Sequence, residues 1–510
     1  MKVFYNCHIY NNLGDCFVVE DNKFVYVGKY SDFKYEDAEL CDLNGAYVYP
    51  GFNDSHMHVV NYGKFLENIS LYEHTNSLKE LLSELKKHTN RKSIIGRGWN
   101  HDYFSDVNRF PTKDELDEIS KDIPIVITRA CGHISIANSK AIELSGIKES
   151  DENIDLEKGV FKENSVYKLY EGLPKVTKDD IKKYILNAQK KMNEYGITSC
   201  QSDDFLSATN DYHDALSALE ELNSENKLTI RIYEQAQFLD FNEFKDFCEK
   251  GYYTGKGDNF FKIGPLKIIG DGSLGARTAL LSVPYHDDKT TNGIQVIDTS
   301  DLYQFMDYAD SHNFQIAIHA IGDGILDIIL NKYQDFDCAK KRHGIVHCQI
   351  SRKDQLKKFE ELSLHAYIQS IFLDYDSKIV YDRVDKDIAD TSYSFKTLFK
   401  VSNASNGSDC PVEFCDCLKG MQLAITRTPI NDTKPYNLDE ALTCNEAIDS
   451  FTKNGAYASF EEDIKGEIKQ GMLADFVILE NAIETCDPYK IKDIKILSTY
   501  MDGKEVFHKI

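Results

Sequence analysis

Two histidines spaced two residues apart, His56 and His58, follow a short apolar stretch near the N-terminus. Residues i and i+2 of a β-strand project from the same face, so both imidazoles could bind one cation. For this pair alone, two unrelated polar residues in a turn are the favoured alternative. Zinc and similar metals need three or more nitrogen, oxygen or sulfur ligands, so further ligands must come from other segments.

Three later segments end in residues that bind metals or move protons. Residues 315–319 and 344–347 are apolar runs that end in a histidine, and residues 406–409 end in an aspartate. Each histidine alone is more often a satisfied core residue. In an α/β barrel, however, the carboxyl ends of the strands meet at one face, where barrel enzymes place their catalytic residues. Five such positions in chain order therefore favour a shared metal site.

The composition restricts the class of partner. The chain has 510 residues, with 59 Lys and Arg against 83 Asp and Glu, and a formal charge of −24. This charge repels phosphate backbones and anionic membranes, so we expect a small-molecule substrate and neither a nucleic acid nor a membrane partner. The first residues lack signal-peptide features and no run of eighteen apolar residues occurs, which predicts a soluble, cytoplasmic protein. The sequence does not decide between a monomer and a homodimer.

Strand-like and helical segments alternate through the middle of the chain, which predicts an α/β fold with a parallel sheet. Eight strands are what a (β/α)8 TIM-type barrel needs. The candidate strands are residues 52–58, 196–202, 229–234, 265–270, 315–319, 344–347, 364–369 and, less regularly, 400–408. The stretch of about residues 71–173 is too long for one connection and is predicted to be an insertion over the barrel mouth.

Both ends of the chain have the patterns of strands joined by tight turns. Near the N-terminus, residues 16–20 and 23–27 flank Asp21 and Asn22, which is a hairpin pattern. Near the C-terminus, residues 474–479 and 494–507 are also strand-like. We predict a small composite β-sandwich domain from residues 1–50 and 455–510, and a metal-binding barrel from residues 51–454 that includes the insertion.

Several motifs resemble those of the amidohydrolase superfamily, and specifically amidohydrolase family 3, the YtcJ-like metal-dependent hydrolases that include N-substituted formamide deformylases. The matching segments are PGFNDSHMH at 50–58, GRGWN at 96–100, GITS at 196–199, DGSLGARTA at 271–279, HAIGD at 319–323, VHCQ at 346–349, GSDCPV at 407–412 and KQGMLAD at 469–475. Nearly the whole chain is covered. The DGSLG element is specific to the branch, whereas the His-x-His pair and the late aspartate are shared across the superfamily.

The resemblance implies a hydrolase acting on carbon–nitrogen bonds other than peptide bonds. Four histidines would be metal ligands: His56, His58, His319 and His347. Asp409 would be the catalytic acid–base residue, and Lys267 would carry a CO2-derived carboxyl group, as N6-carboxylysine, that binds the metal. The implied cofactor is one or two divalent cations, with zinc expected first, while iron, manganese and nickel suit the same ligands.

Lys267 lies between Leu266 and Ile268 on a predicted buried strand. An unpaired ammonium there would face a desolvation cost of several kcal/mol. Carboxylation would convert the amine into an oxygen ligand. The alternative is a lysine whose amine emerges at the barrel rim beside Asp271.

Four further residues are predicted to contact the substrate: Trp99, His133, Glu163 and Arg277. Trp99 and His133 lie in the insertion, and loops over a rigid barrel usually determine specificity. Core packing is the alternative for Trp99, and a solvated acidic face is the alternative for Glu163. Arg277 could clamp a substrate carboxylate or pack over the barrel rim.

The function predicted from the sequence is cleavage of an amide-type C–N bond by metal-activated water. Deacylation of an N-substituted formamide or an N-acyl amine is the nearest activity of the family. A deaminase of an aminated heterocycle is the first alternative, because the same attack of water can expel ammonia. A catalytically inactive barrel that acts as a binding scaffold is the second, although here every expected ligand position is filled.

Overall fold

The structure is a computed structural model that describes residues 1–33, 37–130, 133–148, 153–162, 164–209 and 211–509. The chain divides into two compact units, and each is described here by itself. The first combines Met1–Tyr62 with Ile181–Ile510, and the second is Gly63–Asp180. The predicted domain limits, residues 1–50 with 455–510 and residues 51–454, stay predictions.

The main sheet of the first unit contains eight parallel strands within the described residues. We number them in chain order: β1 (Phe52–Met57), β2 (Ile197–Ser202), β3 (Arg231–Gln237), β4 (Phe261–Ile269), β5 (Ile316–Ala320), β6 (Gly344–His347), β7 (His365–Ile368) and β8 (Ser405–Asn406). Neighbours in sequence are neighbours in the sheet, and nearly all of their side chains are buried, as in a parallel sheet covered on both faces. The predicted α/β fold is therefore confirmed as a nearly closed, eight-stranded parallel barrel.

The first and last strands approach each other just beyond the end of β8. The backbone N–H of Asp409 donates to the carbonyl of His56 at 2.7 Å, and the N–H of His58 donates to the carbonyl of Cys410 at 2.8 Å. These bonds hold the segment after β8 against the end of β1. The two ends of the sheet therefore meet at the residues that were predicted to do chemistry.

One predicted strand differs clearly from the observed structure. Residues 400–408 were predicted as a single strand, but the chain forms a helix, Phe395–Ser402, before the short strand β8. Phe395, Leu398 and Ser402 are buried at the spacing of one helix face, and the helix ends where Asn403 adopts a left-handed conformation, with φ of 50°. The other seven predicted strands overlap β1 to β7.

The helices that alternate with the barrel strands are mostly amphipathic. In Asp323–Tyr333, for example, Ile325, Leu326, Ile329 and Leu330 are buried together on one face. The described α-helices are Val59–Glu67, Leu78–Lys86, Lys113–Asp117, Ser139–Ser145, Asn164–Glu171, Lys178–Glu194, Tyr212–Ser224, Phe241–Glu249, Thr299–Ser311, Asp323–Tyr333, Cys338–Lys341, Lys353–Leu362, Leu373–Asp376, Val380–Arg383, Lys386–Ala389, Phe395–Ser402, Cys417–Thr426, Cys444–Ser450 and Lys453–Ala458. None of these described helices combines the length and the apolar character needed to cross a membrane.

Strands from both chain ends share a second sheet in the first unit. Its order is His8–Ile9, Tyr47–Pro50, Phe476–Leu479, Ile496–Met501 and Lys504–His508. A third sheet comes from the N-terminal region alone, in the order Lys23–Gly28, Cys16–Glu20, Lys2–Tyr5 and Glu39–Asp42. Phe4 and Phe17 from one sheet pack with Phe476 from the other in a common core. The small β-sandwich domain as a separate body stays a prediction.

Two buried ion-pair groups join the barrel to the C-terminal part of the chain. Arg231, at the start of β3 and 2% exposed, donates from Nε to Asp475 at 2.7 Å and also pairs with Asp502. Buried Glu461 pairs with the Nζ atoms of Lys262 at 2.6 Å and of Lys465 at 2.7 Å. Buried charges are tolerated only when they are paired, so these groups are sensitive points of the fold.

The second unit contains its own sheet and core. Its strands are Ile69–Ser70, Ile94–Trp99, Ile125–Arg129, Ile134–Ala137, Ile154–Asp155 and Val160–Lys162. Leu81, Leu85, Ile127 and Trp99 belong to a buried apolar cluster of this unit. The stretch that was predicted as an insertion therefore has a folded structure of its own, and its placement over the barrel mouth stays a prediction.

Candidate metal centre

The end of β1 brings two histidines to one carboxylate. His56 is the fifth residue of the strand and is almost fully buried, and His58 follows the strand directly. Their Nε2 atoms lie 3.4 Å and 3.0 Å from Oδ1 of Asp409, in the order His56 and His58. The spacing of two residues places both rings on the same side, as predicted.

The ends of β5 and β6 bring two more histidines to this group. His347 is the last residue of β6, and its ring centroid lies 5.3 Å from that of His56 and 4.4 Å from that of His319. Ligand atoms of His56, His347 and Asp409 all lie within 4.8 Å of one another. Within the described part of the chain, no other group of three or more His, Cys, Asp or Glu side chains meets this criterion.

Two buried glutamines lie against ring nitrogens of two of the histidines. Nδ1 of His56 lies 2.8 Å from Oε1 of Gln235, and Nδ1 of His347 lies 2.8 Å from Oε1 of Gln369. An amide oxygen can only accept, so each ring donates its Nδ1–H. The lone pair of each neutral ring is therefore on Nε2, the atom that is available to a metal.

Backbone carbonyls accept from the other two histidines. Nδ1 of His58 donates to the carbonyl oxygen of Asp203 at 2.8 Å, and Nε2 of the same ring lies 3.0 Å from Oδ1 of Asp409, so Nε2 is the atom through which this ring could bind a metal after losing a proton. In His319 the committed nitrogen is Nε2, which lies 3.0 Å from the carbonyl oxygen of Gly272, so the lone pair is on Nδ1. Metal-binding histidines characteristically donate their second N–H to an acceptor in this way. His56, His319 and His347 are thus set as nitrogen ligands, whereas His58 would become one on losing the Nε2 proton that it directs toward Asp409.

The amine of Lys267 on β4 lies against a carboxylate that the sequence analysis did not identify. Its Nζ is 3.3 Å from Oδ2 of Asp203, and both side chains are buried. The second oxygen, Oδ1 of Asp203, is buried and has no hydrogen-bond partner among the described residues. The signal in the sequence was an acidic residue directly after β2, but one such residue is too common to single out.

The electrostatics favour neutral rings for His56 and His347, and a protonated ring for His58, beside an ionised carboxylate. Burial and then the charge of Lys267 hold the pKa of His56 well below its usual range, and burial lowers the pKa of His347 to about 3. Burial would also lower the pKa of His58, but the hydrogen bond and charge of Asp409 raise it to about 9. Burial alone would raise the pKa of Asp409, but the surrounding imidazoles, that of His58 first, bring it below its usual range. His56 and His347 are therefore neutral, as metal binding requires.

Two aspartates hold the backbone around the site. Asp54 accepts from the hydroxyl of Ser408 at 2.5 Å and from its N–H at 3.0 Å, which ties β1 to the segment that contains Asp409. Asp271 accepts N–H bonds from three residues of two loops and lies 3.3 Å from Nε2 of His319.

The four predicted substrate residues are not placed at this centre by the described structure. Trp99 is fully buried in the core of the second unit, and His133 is an exposed residue of that unit. Glu163 lies outside the described residues. Arg277 pairs with Asp287, with Nη2 and Oδ2 2.8 Å apart. Their contact with a substrate stays a prediction.

The donor set fits a divalent metal ion. Imidazole nitrogens and a carboxylate are the ligands of zinc and neighbouring first-row metals, and three of the four rings here have one nitrogen left free because the other donates to a carbonyl group. Asp203 adds a buried carboxylate oxygen that lacks a partner among the described residues. The residues present are therefore suited to hold one cation. Lys267 lies close enough to His56 for its charge to lower the pKa of that ring.

Comparison with known proteins finds relatives that are described as amidohydrolases or metal-dependent hydrolases. The sequence profile described as the Amidohydrolase family matches residues 39–507. The protein YtcJ of Bacillus subtilis, whose name assigns it provisionally to the amidohydrolases, is 29% identical over 96% of this chain and 95% of its own. The N-substituted formamide deformylase of Arthrobacter pascens is 22% identical over 97% of this chain and 95% of its own. The crystal structure of an uncharacterized metal-dependent hydrolase from Pyrococcus horikoshii OT3 superposes with a TM-score of 0.80 at 30% identity, over 96% of this chain and 99% of that one.

Proposed function

The chain belongs to the amidohydrolase family, and from this premise we propose that it hydrolyses an amide-type C–N bond of a small molecule with the help of a divalent metal ion. The observation that supports the proposal most is the set of four histidines around Asp409. His56, His319 and His347 each have one nitrogen committed to a carbonyl acceptor and the other left with its lone pair, and His58 directs Nε2 toward Asp409. A purely structural cluster has no need of three free lone pairs beside a carboxylate.

We assign the metal to the four histidines, with zinc as the first candidate. Bound there, a divalent cation lowers the pKa of a water ligand from about 15.7 toward about 7 and polarises the carbonyl of the substrate. The tautomers of His56 and His347 are fixed beforehand by their glutamine partners, so their Nε2 atoms need no proton loss when the cation binds. The proposal therefore specifies which atoms of this chain would bind the metal.

We also propose that Lys267 is carboxylated in the active protein. Its ammonium, with one CO2, would give a carbamate joined through a new N–C bond and would release two protons. The pairing of Nζ with Asp203 at 3.3 Å supports this proposal, because the backbone carbonyl of Asp203 also accepts from His58. A carbamate would add oxygen ligands of the kind that divalent cations accept.

Asp409 is proposed to handle the protons. Its carboxylate lies within 3.4 Å of two ligand histidines and retains slight exposure, so it can contact a water molecule beside the metal. It would accept a proton from the attacking water and transfer it to the leaving nitrogen. The products are then a carboxylate and an amine, and one water is consumed per C–N bond broken.

A formamide is the first substrate class to test. The deformylase from Arthrobacter pascens supports it, because that relative covers nearly the whole chain. We propose to incubate the metal-loaded protein with N-substituted formamides, N-acyl amines and aminated heterocycles, and to measure formate, amine and ammonia. Amine release from an acylated substrate supports the proposal. Ammonia release from a heterocycle alone would support the deaminase instead, and metal binding without any turnover would support the scaffold.

A further inference from the structure

Two buried glutamines each contact one of the predicted ligand histidines of the candidate metal centre. Gln235 lies on β3 and reaches a histidine on β1, while Gln369 directly follows β7 and reaches a histidine on the neighbouring β6. Their exposed fractions are 0% and 2%. The two histidines that they contact, His56 and His347, have ligand atoms that lie within 4.8 Å of each other and of Asp409.

The orientation of each amide is fixed by a second contact. Nε2 of Gln369 donates to the carbonyl of Tyr367 at 3.1 Å, and Nε2 of Gln235 donates to the carbonyl of Ser55 at 3.4 Å. If either amide were flipped, its oxygen would face a carbonyl oxygen and its NH2 group would face the ring nitrogen. A buried polar group without a partner is costly, so the flipped arrangement is disfavoured. The oxygen must therefore face the imidazole.

We propose that Gln235 and Gln369 are positioning residues that fix the Nδ1–H tautomers of His56 and His347 and so prepare their Nε2 atoms for the metal. The proposal rests on the proposed function, because it needs these histidines to bind a cation. Without the amide acceptor, a neutral ring can place its proton on Nε2 and can rotate about its side-chain bonds. Either change must be reversed before the cation binds, which weakens binding.

The backbone acceptors of the other two histidines make this pair informative. His58 and His319 donate to backbone carbonyls, and no side-chain substitution removes those acceptors. His56 and His347, in contrast, depend on side chains. Substituting the glutamines therefore changes two ligands and leaves the hydrogen bonds of the other two intact.

A third buried glutamine provides a matched control. Gln315 is also 2% exposed, but the hydroxyl of Tyr233 donates to its Oε1 at 3.1 Å and its Nε2 donates to the carbonyl of Arg342 at 2.7 Å. It contacts no imidazole that is assigned to the metal. Gln315→Leu should therefore lower thermal stability without changing metal affinity.

The test measures the zinc dissociation constant of the full-length protein by chelator competition, together with the melting temperature. Gln235→Leu and Gln369→Leu should each raise the constant by about 10-fold to 100-fold, the usual effect of removing a partner of a ligand histidine. Methionine replaces leucine in any variant that does not fold, because it is unbranched and adaptable.

Glutamate at the same positions separates positioning from general stability. Gln369→Glu keeps an acceptor for the ring but loses the N–H that binds the carbonyl of Tyr367. We expect the glutamate variants to melt at lower temperature than the wild type and yet to bind zinc much more tightly than the leucine variants. If zinc affinity instead follows the melting temperature across all variants, Gln315→Leu included, the positioning role is wrong.

A histidine variant distinguishes failure of this inference from failure of the proposed function. His347→Ala must lose most of its zinc if the site is assigned correctly. Loss of zinc in His347→Ala with wild-type affinity in both leucine variants would overturn only the role of the glutamines. Wild-type zinc affinity in His347→Ala would overturn the metal site itself, and the inference with it.

Discussion

Replacing Asp409 by asparagine should separate proton transfer from metal binding. Asparagine has nearly the same shape, and its Oδ1 can still accept a hydrogen bond, but its amide can neither take up the proton of water nor return it. The carboxylate lies 3.0 Å from Nε2 of His58 and 3.4 Å from Nε2 of His56, and the four histidines remain in the variant. The metal should therefore stay bound while turnover falls.

The size of the loss follows from the role of Asp409. Positioned general acid–base groups contribute about 10²-fold to 10⁴-fold in rate. At about 1.36 kcal/mol for each factor of ten, this corresponds to about 2.7–5.4 kcal/mol of transition-state stabilisation. We expect kcat of Asp409→Asn to be about 10²-fold to 10⁴-fold lower than that of the wild type. The metal content per chain should match the wild type.

The assay measures amine release and metal content on the same preparations. Asp307→Asn is the control, because Asp307 pairs with Lys332 and is not among the side chains that converge on the centre. It should keep the wild-type rate. A kcat within a few-fold of wild type in metal-loaded Asp409→Asn would refute the acid–base role, and loss of the metal would show that Asp409 is chiefly a ligand.

Three further predictions concern the lysine and the buried ion pairs. Lys267→Ala should lose bound metal, with activity partly restored by a small carboxylic acid, and unchanged metal content would contradict the carboxylation. Arg231→Met leaves Asp475 buried without its partner and should lower the free energy of unfolding by about 3–5 kcal/mol in urea titrations, whereas a loss below about 1 kcal/mol would contradict the role of this pair. Burial alone would raise the pKa of Glu461, but the charges of Lys465 and Lys262 outweigh burial and lower this pKa to about 2, from 4.5 in the unfolded chain. The ionised carboxylate therefore stabilises the fold above pH 4.5. The stability difference between wild type and Glu461→Gln, about 3 kcal/mol at neutral pH, should therefore narrow as the pH falls from 4.5 toward 2, and a difference independent of pH would argue against it.

The barrel and its ligand positions could be predicted because each depends on a local pattern. Apolar runs that end in a histidine located β5 and β6, and the pair at the end of β1 follows the period of a strand. β8 was less predictable, because this strand has only two residues and begins shortly after helix Phe395–Ser402. There, the spacing of buried residues within the helix was the signal that a strand interpretation overlooked.

The partners of the ligands could not be predicted, because they depend on which side chains meet across the barrel. Gln235 contacts His56 over a separation of 179 residues, and Asp203 contacts Lys267 over 64 residues. Buried amides and acids also occur in this barrel with purely structural contacts, as Gln315 shows. The type of residue therefore gives no indication of the role until the register of the strands is known.

An anomalous diffraction measurement on crystals of the zinc-loaded protein tests the central claim most directly. We predict that the strongest zinc peak lies about 2.0–2.1 Å from Nε2 of both His56 and His347, the usual zinc–nitrogen distance. A zinc peak bound elsewhere, or a peak whose nearest protein atoms exclude both of these nitrogens, would contradict the proposed metal centre.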